Sequence, residues 1–187
     1  MVGWALTALI VVFILWFICV FNRLVTLKNE VKNAWHQIDV QLKRRHDLIP
    51  NLVSVVKGYM EFERNTFEAV TAARTKAVYA AGISEKAKAE NALTEALGRL
   101  FAVMENYPTL KSNENAMRLQ EELASTENRI AFSRQLYNDL VANYRTKLEV
   151  FPDNIVASLF SFKAAEYFSA DKEDRGLPRA DIGLRTK

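Results

Sequence analysis

Along most of this chain apolar positions recur at helical spacing, after an opening stretch that is apolar throughout. From Val2 to Phe21 the sequence reads VGWALTALIVVFILWFICVF, without a charged residue. At about 1.5 Å of rise per residue, a helix of this length crosses a hydrocarbon core of roughly 30 Å. No basic residue precedes the core, and Phe17-Ile-Cys-Val-Phe21 closes it with bulky side chains, so a spanning helix is expected rather than a cleaved signal peptide. Trp4, and Trp16 with Phe21, stand where interfacial anchors would.

From Leu24 the apolar residues Leu27, Val31, Ala34, Trp35, Ile38 and Leu42 follow at steps of three and four, one helical stripe. Neither Pro nor Gly lies between Gly3 and Pro50, so the membrane helix is expected to continue into this stalk as a rod on the order of 70 Å. Prolines at 50, 108 and 152 divide the remainder. Pro50 suits the first turn of a second helix, with Leu52, Val53, Val56, Tyr59, Met60, Phe67 and Val70 as its stripe toward Val78. Gly58 costs that helix about 1 kcal/mol relative to Ala, so a bend or close approach is expected there. Gly82 and Ser84 supply the caps of a turn. A third helix carries Ala89, Leu93, Leu97, Leu100, Phe101 and Met104, ending before Tyr107-Pro108. Ser112 or Asn113 opens a fourth with Leu119, Leu123, Thr126, Ile130, Leu136 or Tyr137, Leu140, Tyr144 and Leu148. A short apolar piece runs from Ile155 to Phe168.

The expected fold is all-α: an antiparallel bundle of about four long helices continuous with an N-terminal transmembrane helix. The chain divides into a transmembrane helix over 1–22, a helical bundle over 23–168 and a loosely ordered charged tail over 169–187.

Composition narrows the function classes. There are 25 basic and 22 acidic residues, a net charge of +3 spread along the chain, so no nucleic-acid partner is expected. The single cysteine, Cys19, sits in the apolar stretch and excludes an internal disulfide and a thiolate metal site. His36 and His46 lack the spacing that puts two metal ligands on one helix face. The neighbouring carboxylates Glu61 with Glu63 and Glu121 with Glu122 do not face each other on a helix. Neither a Gly-rich phosphate loop nor a nucleophile elbow is present, so neither enzyme activity nor a cofactor is expected. Arg23, Lys28 and Lys32 follow the span while no Lys or Arg precedes it, which orients the bundle to the cytoplasm with the N-terminus outside.

Interaction surfaces remain as candidates. Lys43, Arg44 and Arg45, in the cluster ending at Asp47, suit an acidic partner better than lipid. On a straight stalk they lie on the order of 30 Å beyond the membrane, several Debye lengths away. Phe151, Phe160, Phe162, Tyr167 and Phe168 can cap the bundle or form a docking surface. Trp35, Ile38 and Leu42 are more stripe than a monomeric four-helix core needs, and are expected to pack rod against rod.

Asn33 to Val53 (NAWHQIDVQLKRRHDLIPNLV), Gly58-Tyr59 and Ala73-Arg74 resemble the first signature of the LemA family. Tyr107-Pro-Thr-Leu-Lys111, Leu119-Gln120, Leu123, Thr126-Glu127, Ile130, Tyr137-Asn138, Phe151-Pro152 and Phe160-x-Phe-Lys163 resemble the second. Arg145 after Tyr144 departs from the Asn commoner there. The resemblance covers nearly the whole chain and implies a bacterial membrane-anchored bundle of long antiparallel helices with no established enzymatic activity. Two functions are expected on these grounds. One is a scaffold in the bacterial inner membrane that contacts lipid and self-associates into a homo-oligomer. The alternative is an adaptor docking another membrane protein through the aromatic region or the Lys43–Asp47 cluster.

Overall fold

The structure is a computed structural model that describes residues 2–60 and 62–169. Every regular element among them is a helix: α1 (Val2–Lys57), α2 (Arg64–Tyr79), α3 (Ile83–Met104), α4 (Pro108–Lys111), α5 (Glu114–Glu149) and α6 (Asp153–Leu159). Most of the expected tail, from residue 170 onward, lies outside the described residues, as does Glu61.

Membrane stretch and stalk are one helix of 56 residues, a rod of about 84 Å. It continues unbroken through Pro50, which was expected to begin a second helix. Pro50 has no N–H to donate to the carbonyl four residues back, that of His46. Arg74 of α2 fills the vacancy, its Nε donating to the His46 oxygen at 2.7 Å. The break comes instead at Gly58, where Tyr59 and Met60 donate back to the Val56 carbonyl and the chain reverses into α2. The stripe expected of one helix is thus split: Leu52, Val53 and Val56 end α1, while Phe67 and Val70 begin α2.

Gly82 joins α2 to α3 and stands at φ +81°, a left-handed conformation that a Cβ disfavours. It takes the N-cap position expected of Ser84, which falls inside α3. Asn113 caps α5 as anticipated, its Oδ1 accepting from Ala116 N at 3.0 Å.

Three groups of buried side chains follow one another along the rod. Farthest from the apolar terminus, Leu52, Val56 and Met60 meet Val70 of α2, Leu93, Leu97 and Leu100 of α3, and Leu123 of α5. In the middle, Leu27, Val31, Ile38 and Leu42 of α1 pack with Ile130, Tyr137, Val141 and Tyr144 of α5. Beside the apolar span, Val20 and Leu24 pack with Val156 and Ala157 of α6. Arg45 bonds Glu127 while Trp35 stacks beside Tyr137, so α5 numbering rises as α1 numbering falls and the two are antiparallel. The α2–α3 hairpin covers only the far half of this pair. Its near end is level with Asp39, which Lys86 reaches at 3.1 Å.

Candidate functional site

Where the hairpin meets the α1–α5 pair, the apolar core is interrupted by charge. Arg45 and Glu90 are only 1% and 2% exposed, and His46 is buried beside them. All three occupy positions that the helical stripes assign to the core: Arg45 falls between Leu42 and Ile49, and Glu90 between Ala87 and Leu93.

The Arg45 guanidinium is gripped from two helices. Nη2 pairs with the Glu90 carboxylate and donates to the Glu90 carbonyl at 3.3 Å. Nη1 donates to Glu127 Oε1 at 2.5 Å and to Thr94 Oγ1 at 2.9 Å. On the other side of Glu90, Oε1 lies 3.0 Å from His46 Nε2. That contact is close but poorly aligned for a hydrogen bond, and neither atom has another partner. Burial alone would raise the Glu90 carboxyl, but the His46 contact and the Arg45 charge outweigh it and hold it below its ordinary value. Half-buried Arg134 bonds Asn91 at 3.1 Å, and burial, then the Arg45 charge, lowers its pKa from the usual arginine value.

Arg45 and Glu90 lie out of solvent at the centre of this cluster, while Glu127 is half-buried and Thr94 exposed at its edge, and both carboxylates are paired to the one guanidinium. The cluster fixes register. Sliding α1 against α3 or α5 by one residue would leave buried charges unpaired, at a cost of several kcal/mol, on the order of the 3–5 observed when one partner is removed. Among the described residues no group of three His, Cys, Asp or Glu stands together as metal ligands.

A second constellation lies nearer the apolar span. After α6, residues 162–168 form a non-helical segment that packs along the α1–α5 seam. Tyr137 donates its hydroxyl to the Glu166 carbonyl at 2.7 Å. Asn138 brackets Phe168, accepting from its N–H at 2.9 Å and donating to its carbonyl at 3.3 Å. Burial, with the Glu166 charge, pushes the Tyr137 hydroxyl up to about 12, so it stays a donor across the physiological range. Rings complete the clasp. Trp35 stands 5.7 Å from Tyr137 and 5.5 Å from Phe168, Arg134 covers Phe168 at 4.9 Å, and Arg145 covers Tyr167 at 5.2 Å. Phe160 lies 4.7 Å from Phe21, and Phe162 lies 5.8 Å from it.

The residues singled out from sequence therefore fall into separate places. Ile38 and Leu42, expected to pack against another copy, are covered by α5 within the same chain, and Trp35 is half-buried against Tyr137 and Phe168. Arg45, expected on a basic surface, is buried because it is one turn from Leu42 on the core stripe; Lys43 and Arg44 remain exposed, with Arg44 at 3.9 Å from Glu122. Phe168 is buried, Phe162 and Tyr167 are half-buried in the clasp, and Phe160 alone of these four stays open. Sequence reasoning missed Glu90, Thr94, Glu127 and Arg74. The available signal was a charge on a core stripe, which Glu90 and Arg45 both display.

The chain is similar in sequence to known proteins over most of its length. Magnetosome proteins MamQ 1 and MamQ 2 of Paramagnetospirillum magneticum are each 29% identical over 185 residues, spanning 85% of this chain and 68% of their own length. Protein LemA of Metamycoplasma hominis is 24% identical over 155 residues, 82% of this chain and 71% of its own. The apolar helix and this kinship make the protein a membrane-associated helical one. Residues 34–181, which begin within the α1 stalk and take in the buried charge cluster and the clasp, match the LemA family, and the chain belongs to it.

Proposed function

We infer that the protein is a membrane-anchored scaffold: α1 spans the bacterial inner membrane with its N-terminus outside, and the bundle stands in the cytoplasm as a rigid post on which copies assemble. The observation that carries this reading is the unbroken α1, apolar and uncovered at one end and packed into the bundle at the other. The orientation rests on Arg23, Lys28 and Lys32 following the span.

Self-association is supported by apolar surface that the chain leaves uncovered outside the span. Phe132 is 70% exposed on α5 with Leu136 exposed one turn away, and Val40 is exposed on α1. These replace Ile38 and Leu42 as the contact surface between copies. Light scattering of the full chain in mild detergent tests this. An oligomer expected across the micromolar range should dissociate when Phe132→Asp and Leu136→Asp are combined, and a strictly monomeric wild type would defeat the reading.

A further inference from the structure

The corner between α5 and α6 carries an exposed apolar surface that touches the anchor helix only through Phe160. Val150, Phe151, Ile155, Leu159 and Phe160 are all exposed, Phe151 by 75%, Ile155 by 55% and Leu159 by 68%. Helical phase explains the split on α6. Val156 and Ala157 turn inward onto Val20 and Leu24 of α1, which leaves Ile155 and Leu159, four apart, on the opposite side.

The height of this corner matters. Phe160 rests on Phe17 and Phe21, with ring centres at 5.8 and 4.7 Å, and Trp16 joins the cluster around Val156. Those α1 residues are the last turns of the uncharged stretch that ends at Phe21. Trp16 is five residues inside that end, on the order of 7 Å. The exposed apolar patch is therefore continuous with the lipid-facing surface of α1 and lies beside its boundary turns. An amphipathic helix in a bilayer interface buries its apolar face by about 5–10 Å, the same depth.

The polar surroundings agree with that placement. Arg23, Lys28 and Lys163 are exposed just beyond the aromatic contacts, where headgroup phosphates would stand, and Lys28 lies 5.9 Å above the Phe162 ring. The acid on α6, Asp153, is matched by Lys147 at 3.1 Å, while Glu149 remains exposed at the end of α5.

We propose that the α5–α6 corner is a second membrane contact, with Phe151, Ile155 and Leu159 inserted at the boundary between headgroups and acyl chains beside α1. The inference rests on α1 being the membrane span. It makes the far end of α5 return to the bilayer, so the post is held by a broad foot as well as by a single helix.

Site-directed spin labelling of the full chain in lipid nanodiscs tests it, with Cys19→Ser removing the native thiol. Labels are placed singly through Ile155→Cys, Leu159→Cys, Ile10→Cys within the span, and Met117→Cys on exposed distal α5. Power saturation with oxygen and with a water-soluble nickel chelate is the readout. The 155 and 159 labels should show an oxygen-to-nickel ratio several-fold above that of 117 and below that of 10. If 155 and 159 match 117 while 10 reads as deep, the foot is refuted and the span stands. If 10 also reads as aqueous, both fail. Labels at 155 and 159 that are shielded from both reagents, with dipolar broadening that disappears on dilution with unlabelled protein, would mean that a second copy covers the corner, and would also overturn the proposal.

Discussion

The two halves of the rod hold the same pair of helices together by different chemistry. In the distal half α1 and α5 are joined by α2 and α3, and four aliphatic helix faces surround one group of buried ions at Arg45. In the proximal half they have each other, α6, the first turns of α3 at Ile83 and Ala87 and a non-helical segment of chain, and aromatic rings join the aliphatic stripe in the packing: Trp35, Tyr137, Phe162 and Phe168. Four helices can enclose a core by themselves. Two cannot, and the proximal seam is closed by a backbone segment whose polar groups are captured by the Tyr137 and Asn138 side chains. Charge sets register where many helices must agree, and aromatic surface fills volume where helices are few.

The largest test of that contrast is Arg45→Ala. Leaving Glu90 and Glu127 without their cation should cost about 3–5 kcal/mol. Hydrogen exchange in nanodiscs should show lost protection in α3 and in α5 near Glu127, with the clasp at Phe168 unaffected. Equal loss in both halves would make the rod a single cooperative unit and erase the distinction. Next is Phe168→Ala, expected to cost about 3 kcal/mol, at the low end for a large-to-small change because the site lies at the edge of the core. Its signature is the converse: faster exchange along 134–148 with the hairpin still protected.

Smaller effects sharpen the comparison. Glu90→Gln removes one charge from the cluster and should cost about 1.5–3 kcal/mol at neutral pH. Because the folded state holds the Glu90 carboxyl below its unfolded value, the stabilisation is present above that unfolded value, about 4.3. It is lost as pH falls through the folded value. The stability gap between wild type and variant should therefore close as the pH falls through the acid range; a gap that widened there would mean the sign is wrong. Smallest is Arg74→Ala, expected to cost about 1–3 kcal/mol by orphaning the His46 carbonyl. In a Pro50→Ala background the helix supplies its own N–H to that carbonyl, so the same change should cost clearly less. Equal costs in the two backgrounds would detach Arg74 from the proline.

The helices themselves were legible because periodicity is local: the stripes through Leu27 to Leu42 and Leu119 to Leu148 belong to α1 and α5 as expected. The role of Pro50 was not legible, since its tolerance depends on an arginine two dozen residues later on a different helix. Gly58, read as a weak point within a helix, is the break itself, because the neighbouring proline is compensated and the glycine is not. Arg45 was misjudged by grouping it with its neighbours Lys43 and Arg44. Spacing by three and four from Leu42 and Ile49 would have separated it from them. The clasp was half visible: its aromatic residues stand out in sequence, but the side-chain amide and phenol that receive the segment lie about 30 positions earlier, and no local pattern announces that pairing.

Because α1 is one unbroken helix, tilt at its base is carried toward its tip. Its length beyond the uncharged stretch, from Asn22 to Lys57, is roughly 54 Å, so tilting the membrane portion by about 10° would sweep the tip sideways by about 9 Å. Spanning helices are found at tilts from about 0 to 40°, and tilting is one of the ways they meet a bilayer of different hydrophobic thickness. Phe62, 93% exposed at the turn that crowns the rod, would then report at its far end on the thickness of the lipid beneath it.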